Sequence, residues 1–93
     1  MTYVVVYDIA DDGVRARVAS LLAGYGRRVQ ESVFECQADD ERELEELTGR
    51  LGSVLAGDAE GQVRIYRVCG ACLQASLGVG RVEPRDTSSC FIV

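Results

Sequence analysis

The sequence predicts an α+β sandwich in which two helices cover one face of an antiparallel sheet. Two observations predict it: the chain runs strand, helix, strand or strands, helix, strand, and each helical segment carries a single apolar stripe. This order is that of the ferredoxin-like βαββαβ motif. With 93 residues, 47% of them hydrophobic and 27% charged, the chain suits one soluble globular domain with a modest core.

The first strand and helix are predicted from residues 3–25. Residues 3–8 suit a central strand, because Tyr and Val favour a pleated backbone and apolar side chains on both faces require cover on both sides. Asp11 and Asp12 are placed to cap the following helix. Gly24 and Gly26 flank its end. Its apolar stripe consists of Val14, Val18, Leu21, Leu22 and Tyr25.

The residues after the first helix are predicted to form further strands and a second helix. Residues 27–36, RRVQESVFEC, are strand-like and form either one bent strand or two short ones. A second helix is predicted to start at Asp39 or Asp40, with a stripe of Leu44, Leu47, Leu51, Val54 and Leu55. Residues 57–61 are a predicted turn and residues 63–69 a strand. The predicted ferredoxin-like domain therefore covers residues 1–69.

Residues 70–93 are predicted to form a C-terminal tail. This stretch carries Gly, Ser and Pro and shows no clear periodicity, except that the apolar residues 90–93 form a candidate short edge strand. No apolar run approaches the roughly 18 residues of a membrane span, and the N-terminus lacks the pattern of a signal peptide. We therefore expect a cytoplasmic protein without a membrane partner.

Two helices can cover only one face of the predicted sheet. The other face would then expose Tyr, Phe and Val side chains to water. A second copy of the chain is the simplest cover, so the sequence predicts a homodimer.

The charge distribution limits the classes of function. Ten Arg and no Lys stand against fifteen acids, which gives a net charge of −5. Residues 35–46 alone hold seven acids and one base. Because affinity for phosphate depends on basic contacts, any nucleic-acid surface must be local. The chain has no His, so catalysis must use carboxylates, Tyr, Cys or a bound metal.

Asp8 stands where the first apolar run ends. A carboxylate at this position can simply cap the next turn. A single carboxylate is also too few ligands for Mg²⁺, which prefers six oxygens but readily keeps several waters. If a twofold axis passes near the strand end, two Asp8 carboxylates and waters would form a metal site able to stabilise charge on a phosphoryl oxygen.

A family resemblance adds to this interpretation. Residues 3–35, YVVVYDIADDGVRARVASLLAGYGRRVQESVFE, resemble the CRISPR-associated protein 2 family, the small nuclease of the universal spacer-acquisition pair. The shared pieces are Tyr-Asp-Ile at a strand end, Asp-Asp, Arg-x-Arg-Val, Leu-Leu and Arg-Val-Gln-x-Ser-Val-Phe-Glu. Residues 64–69, RIYRVC, and the chain length extend the likeness.

The resemblance implies a ferredoxin-like homodimer that acts in CRISPR adaptation. Such a dimer bridges integrase subunits during spacer acquisition, and some members are Mg²⁺-dependent endonucleases on RNA or double-stranded DNA. Two alternatives stay open: a non-catalytic dimer that positions DNA, and a related toxin-type endoribonuclease of the same architecture.

The resemblance also assigns site residues. It implies that Asp8 is the catalytic residue and the metal ligand, shared across the dimer. It implies that nucleic acid is bound by Arg15, Arg17 and Arg28. Its supporting residues are Tyr7, Ser32 and Phe34. From the residues themselves, Tyr7 and Phe34 also suit packing, and Ser32 suits backbone hydrogen bonding, since no His or Lys is placed to activate it.

The segment CGAC, residues 69–72, is a separate motif. A Cys-x-x-Cys pair can bind zinc with a second pair, which a dimer could supply, or can act as a redox couple. Cys36 and Cys90 stand alone in the sequence. Structural zinc, a disulfide and unliganded thiols therefore all remain open for Cys69 and Cys72.

Overall fold

The sheet has four antiparallel strands. The computed structural model of the chain describes residues 1–80, and its strands are β1 (Thr2–Asp8), β2 (Gly26–Gln30), β3 (Val33–Gln37) and β4 (Gln62–Val68). Its helices are α1 (Asp12–Ala23), α2 (Glu41–Leu55) and α3 (Gly70–Ala75). The strands lie in the order β2-β3-β1-β4, with β1 between β3 and β4. The predicted ferredoxin-like βαββαβ fold is confirmed.

Strand β1 separates two different environments. Tyr3, Val5 and Tyr7 point toward the helices and are at most 3% exposed. Val4 and Val6 point to the other side and are half-buried. Because side chains alternate along a strand, this parity divides the strand into a core face and a face without helices.

Both long helices begin at the aspartates that their sequences suggest. Asp11 caps α1, and its Oδ1 accepts a hydrogen bond from the Val14 amide at 2.8 Å. Asp40 caps α2 and accepts from the Glu43 amide at 3.0 Å. These bonds satisfy amides that have no partner within the helix. The buried stripes that follow pack on the sheet; they comprise Val14, Val18, Leu22, Leu47 and Leu51.

Residues 27–36 form two strands rather than one bent strand. Strands β2 and β3 are joined by a tight turn at Glu31 and Ser32, and the pairing contains a register shift between Arg28 and Gln30. At the start of β2, Gly26 lies against β3 so closely that a Cβ would stand 1.9 Å from the Glu35 carbonyl oxygen. Only glycine fits this close approach of two backbones.

The chain continues from β4 directly into the short helix α3. The sequence pattern indicated no element there. Cys69 is its N-cap, and Ser76 follows its last residue. The candidate strand at residues 90–93 lies outside the described residues, and the boundary between residues 69 and 70 stays a prediction.

The face of the sheet opposite the helices is called the open face here. Strand pairing places on it Thr2, Val4, Val6 and Asp8 from β1, with their partners Val33, Glu35, Gln37, Gln62, Arg64, Tyr66 and Val68. Tyr66 is 51% exposed, and the valines are half-buried. Among residues 1–80, the buried side chains of α1 and α2 pack against the other face of the sheet, and α3 has no buried residue.

No helix among residues 1–80 has the length and apolar character needed to cross a membrane.

Candidate metal and nucleic-acid site

Asp8 is the last residue of β1 and lies on the open face. It is exposed and stands opposite Gln62 of β4. It has the same parity as Val4 and Val6, so the carboxylate follows directly on the apolar strip of β1. The next residue, Ile9, is buried and turns the chain toward α1.

Arg15 anchors the loop that follows Asp8. Its Nη1 donates to the carbonyl oxygens of Ile9 at 3.0 Å and Ala10 at 3.3 Å, and its Nη2 pairs with Asp12. The guanidinium thus bonds the backbone beside the candidate metal ligand. Sequence reasoning missed this role; the only signal was the spacing of three residues between Asp12 and Arg15, which suits a helical ion pair.

Arg17 lies elsewhere on α1. It is exposed, and its Nη2 is 3.5 Å from the position that a Cβ on Gly57 would occupy. Residues two apart on a helix are separated by about 200°. Arg15 and Arg17 accordingly face different surroundings, one the loop after β1 and the other the turn after α2.

Arg28 joins Tyr7 and Phe34 in a cluster on the helix-facing side of the sheet. The two rings are 6.3 Å apart at 31°, and the Arg28 guanidinium carbon lies 5.4 Å from the centre of the Phe34 ring. Arg28 Nη2 donates to the Tyr7 hydroxyl at 3.5 Å, and this hydroxyl donates to the Glu31 carbonyl at 3.3 Å. Both rings are 3% exposed, so they are packed and unable to stack on a base.

Ser32 contacts β1 through its backbone. Its carbonyl oxygen accepts a hydrogen bond from the Tyr7 amide at 3.1 Å. This bond continues the pairing of β1 with β3 by one step. Ser32 therefore supports the strand end that carries Asp8.

The structure divides the predicted site between the two faces of the sheet. Asp8 is on the open face, whereas Tyr7 and Phe34 are in the core. The arginines of β4 also lie on different faces. In the strand register, Arg64 is opposite Val6 on the open face, and Arg67 is opposite Tyr3 on the helix-covered face. The arginines thus form no single basic surface within residues 1–80.

The arginines of β4 have specific partners. A hydrogen bond from Arg64 to the Tyr66 side chain raises the pKa of Arg64 on the open face. Arg67 forms an ion pair with Glu41 at the start of α2. On the open face, positive charge is carried by Arg64 beside Val6 and by Arg27 of β2, which strand pairing places opposite Glu35.

The donor set of one chain only partly fits a divalent metal. Among residues 1–80, no group of three or more His, Cys, Asp or Glu side chains converges. Asp8 offers one exposed carboxylate. Mg²⁺ is usually held by one or two carboxylates together with waters and substrate phosphates, so two Asp8 carboxylates from two copies suit it.

Comparisons with known proteins agree on one family. The family profile described as CRISPR associated protein Cas2 matches residues 1–75. The CRISPR-associated endoribonuclease Cas2 1 of Chloroflexus aurantiacus is 41% identical over 90 residues, covering 95% of this chain and 94% of that protein. The CRISPR-associated endonuclease Cas2 2 of Thermus thermophilus is 49% identical over 78 residues, covering 84% and 82%. A chain in a solved partial Cas6-RT-Cas1--Cas2 complex superposes with a TM-score of 0.73 at 27% identity, covering 81% of this chain and 86% of that one.

Proposed function

The chain belongs to the CRISPR associated protein Cas2 family, and from that premise we propose that it acts in CRISPR adaptation as a homodimeric, Mg²⁺-dependent endonuclease. The relatives are named endoribonuclease and endonuclease, which supports a nuclease activity. RNA and double-stranded DNA are the two candidate substrates of the proposal. We propose that the chain acts in the cytoplasm, where such nucleic acid would be met.

One observation carries the proposal. Asp8 lies on the same face of β1 as the uncovered Val4 and Val6. A second copy that covers these valines brings its own Asp8 into the same interface. Symmetry then supplies the second carboxylate that one chain lacks.

The chemistry follows from this pair. A divalent ion held there would stabilise negative charge on the scissile phosphate and would make a bound water more acidic. The two carboxylates would orient a phosphodiester by holding that ion, and each carboxylate would accept hydrogen bonds from water. Arg15 would keep the loop after each Asp8 in place, since it bonds two of the loop carbonyls.

Binding of nucleic acid by the free dimer should be weak. The net charge is −5, and Arg15 and Arg67 already pair with Asp12 and Glu41. Arg17 and Arg28 are exposed and are the better candidates for phosphate contacts. Few phosphate contacts mean low affinity that falls with salt, so an integrase partner would supply most of the positive charge.

The direct test compares Asp8→Asn with Asp39→Asn. Both changes remove one exposed carboxylate, but Asp39 lies before α2 and its side chain is not the helix cap. Cleavage of labelled RNA and duplex DNA would be measured with Mg²⁺ and with EDTA, and light scattering would report the dimer. We expect Asp8→Asn to abolish cleavage without changing the dimer, and Asp39→Asn to cleave as wild type. Cleavage that survives in Asp8→Asn would remove the catalytic proposal.

A second candidate is a non-catalytic dimer that positions DNA and holds the integrase subunits. The similarity to a chain in a Cas1--Cas2 complex favours it, as does the single carboxylate that each chain offers. In this candidate, assembly and DNA positioning depend on the open face and the arginines, and catalysis by Asp8 is not required.

Spacer acquisition in cells separates the two candidates. A positioning dimer predicts that the Asp8→Asn protein still acquires spacers at the wild-type rate. A required nuclease predicts that acquisition stops while the complex with the partner still forms. Complex formation would be checked by co-purification of the two proteins.

A further inference from the structure

Cys69 and Cys72 meet in the first turn of α3. Cys69 is the N-cap of that helix, and the Cys72 amide donates to the Cys69 sulfur at 3.3 Å. The N-cap and the third helical residue are neighbours on one side of a helix, as in a capping box. Both side chains are exposed. The two sulfurs are thus adjacent and accessible, in a segment for which the proposed nuclease has no use.

The two thiols are electrostatically unequal. The Cys72 amide and the Cys72 thiol donate to the Cys69 sulfur, and these bonds lower the pKa of Cys69. The same contact raises the pKa of Cys72, which keeps its proton as the donor. A thiolate is the reactive form of cysteine, so Cys69 is the nucleophile of the pair.

From this geometry we infer that Cys69 and Cys72 form a dithiol site that exchanges with small-molecule disulfides and closes an intramolecular disulfide. This inference is independent of the nuclease. The remaining cysteine described by the structure, Cys36, is fully buried and unavailable to such a reagent.

The exchange consists of two displacements. The Cys69 thiolate attacks one sulfur of a small disulfide such as oxidised glutathione, forms a mixed disulfide and releases one thiolate. The Cys72 thiol then loses its proton to water, attacks the Cys69 sulfur and releases the second thiolate. Two protein thiols are oxidised to one disulfide, and one small disulfide is reduced to two thiols.

In a reducing compartment the dithiol is the resident form, and the disulfide would form only under oxidising conditions. The disulfide would join the residue after β4 to the first turn of α3. Oxidation would therefore restrict the backbone between the end of β4 and the first turn of α3.

The experiment uses the full-length protein and oxidised glutathione. Free thiols are then blocked with an alkylating reagent, and the protein is cut with trypsin. The peptide of residues 68–81 holds Cys69 and Cys72 but neither of the other cysteines, so its mass alone reports the internal disulfide. We expect this peptide to resist alkylation and to lose two hydrogen atoms.

Single variants identify the nucleophile. Cys72→Ser should trap a stable glutathione adduct on Cys69, because the second displacement is missing. Cys69→Ser should react about tenfold more slowly at Cys72, which then has only an ordinary thiol. Cys90→Ser should behave as wild type. A 68–81 peptide alkylated at both cysteines, an equal rate in Cys69→Ser, or a disulfide that requires Cys90 would each overturn the inference.

Discussion

The two faces of β1 show how one strand serves two purposes. Toward the helices, Tyr3, Val5 and Tyr7 are at most 3% exposed and contact a continuous core. Toward the open face, Val4 and Val6 are half-buried beside the exposed Tyr66. The first face is complete within one chain, and the second carries an apolar strip, Val4 and Val6 of β1, that no helix among residues 1–80 covers.

This difference between the two faces separates the residues that stabilise the fold from the residue of the proposed site. The helix-covered face contains the packed rings of Tyr7 and Phe34, although both were assigned as site residues by family resemblance. The open face carries Asp8, whose proposed role requires a second copy. Substitutions on the first face should therefore change folding, and substitutions on the second should change assembly.

The largest effect is expected from Leu22→Ala on the helix-covered face. Leu22 is fully buried under the sheet, and deletion of such a side chain loses transfer free energy and leaves a cavity. We expect the free energy of unfolding to fall by about 2–5 kcal/mol, measured by urea denaturation.

The matched control is Leu77→Ala, which removes the same atoms from a side chain that is 67% exposed. It should change the free energy of unfolding by at most about 0.5 kcal/mol. Equal losses in the two variants would show that the helix-covered face is not the source of stability.

A smaller effect, on assembly rather than folding, is expected from Val6→Asp. This change places a charge in the centre of the proposed interface, where the symmetry-related copy adds a second like charge. Like-charge contacts at an interface cost several kcal/mol. We expect self-association to weaken by about 100-fold or more, measured by light scattering over a range of concentrations.

Ala16→Asp provides the control, because it adds the same charge at an exposed position of α1. It should leave self-association unchanged. A Val6→Asp protein that remains dimeric at wild-type concentrations would place the interface elsewhere, and the pairing of Asp8 carboxylates would lose its basis.

The sequence predicted the elements whose apolar residues repeat over several turns. Leu22 and Leu51 of the predicted stripes are buried, and Asp11 and Asp40 of the predicted caps begin the two helices. The first helix ends at Ala23, so Tyr25 of its predicted stripe lies beyond it. The sequence did not resolve β2 from β3, because the turn at Glu31 and Ser32 lacks the Gly or Asn that marks tight hairpins. It missed α3, since six residues hold too few turns for a periodic stripe.

The candidate site was less accessible to sequence reasoning. Strand parity alone places Asp8 with Val4 and Val6, and it separates Arg64 from Arg67. By contrast, the bonds of Arg15 to the Ile9 and Ala10 carbonyls depend on how the loop folds. The distance between two Asp8 carboxylates depends on a symmetry axis, which the periodicity of one chain does not contain.

The smallest effect is expected from Tyr3→Phe, again on the helix-covered face. Burial, together with the smaller effect of the charges of Cys36, Glu43 and Tyr25, raises the pKa of Tyr3 to about 12. In an unfolded chain the phenol titrates near 10. Between these values the folded state holds a proton that the unfolded state has lost, so the free energy of unfolding falls as pH rises.

This contribution is fully present below pH 10 and is lost toward pH 12, and Tyr3→Phe should flatten that decline by on the order of 1 kcal/mol. At neutral pH the variant should stay within about 1 kcal/mol of wild type, because the hydroxyl makes only a long bond of 3.5 Å to the Gln37 carbonyl.

Burial also raises the pKa of Cys36 to about 11, so Cys36→Ala should flatten the decline at lower pH than Tyr3→Phe. Denaturation curves from pH 7 to pH 11 would measure all three proteins. Superimposable curves would mean that the helix-covered face opens to water before either group ionises, and the contrast between the two faces of β1 would not hold under alkaline conditions.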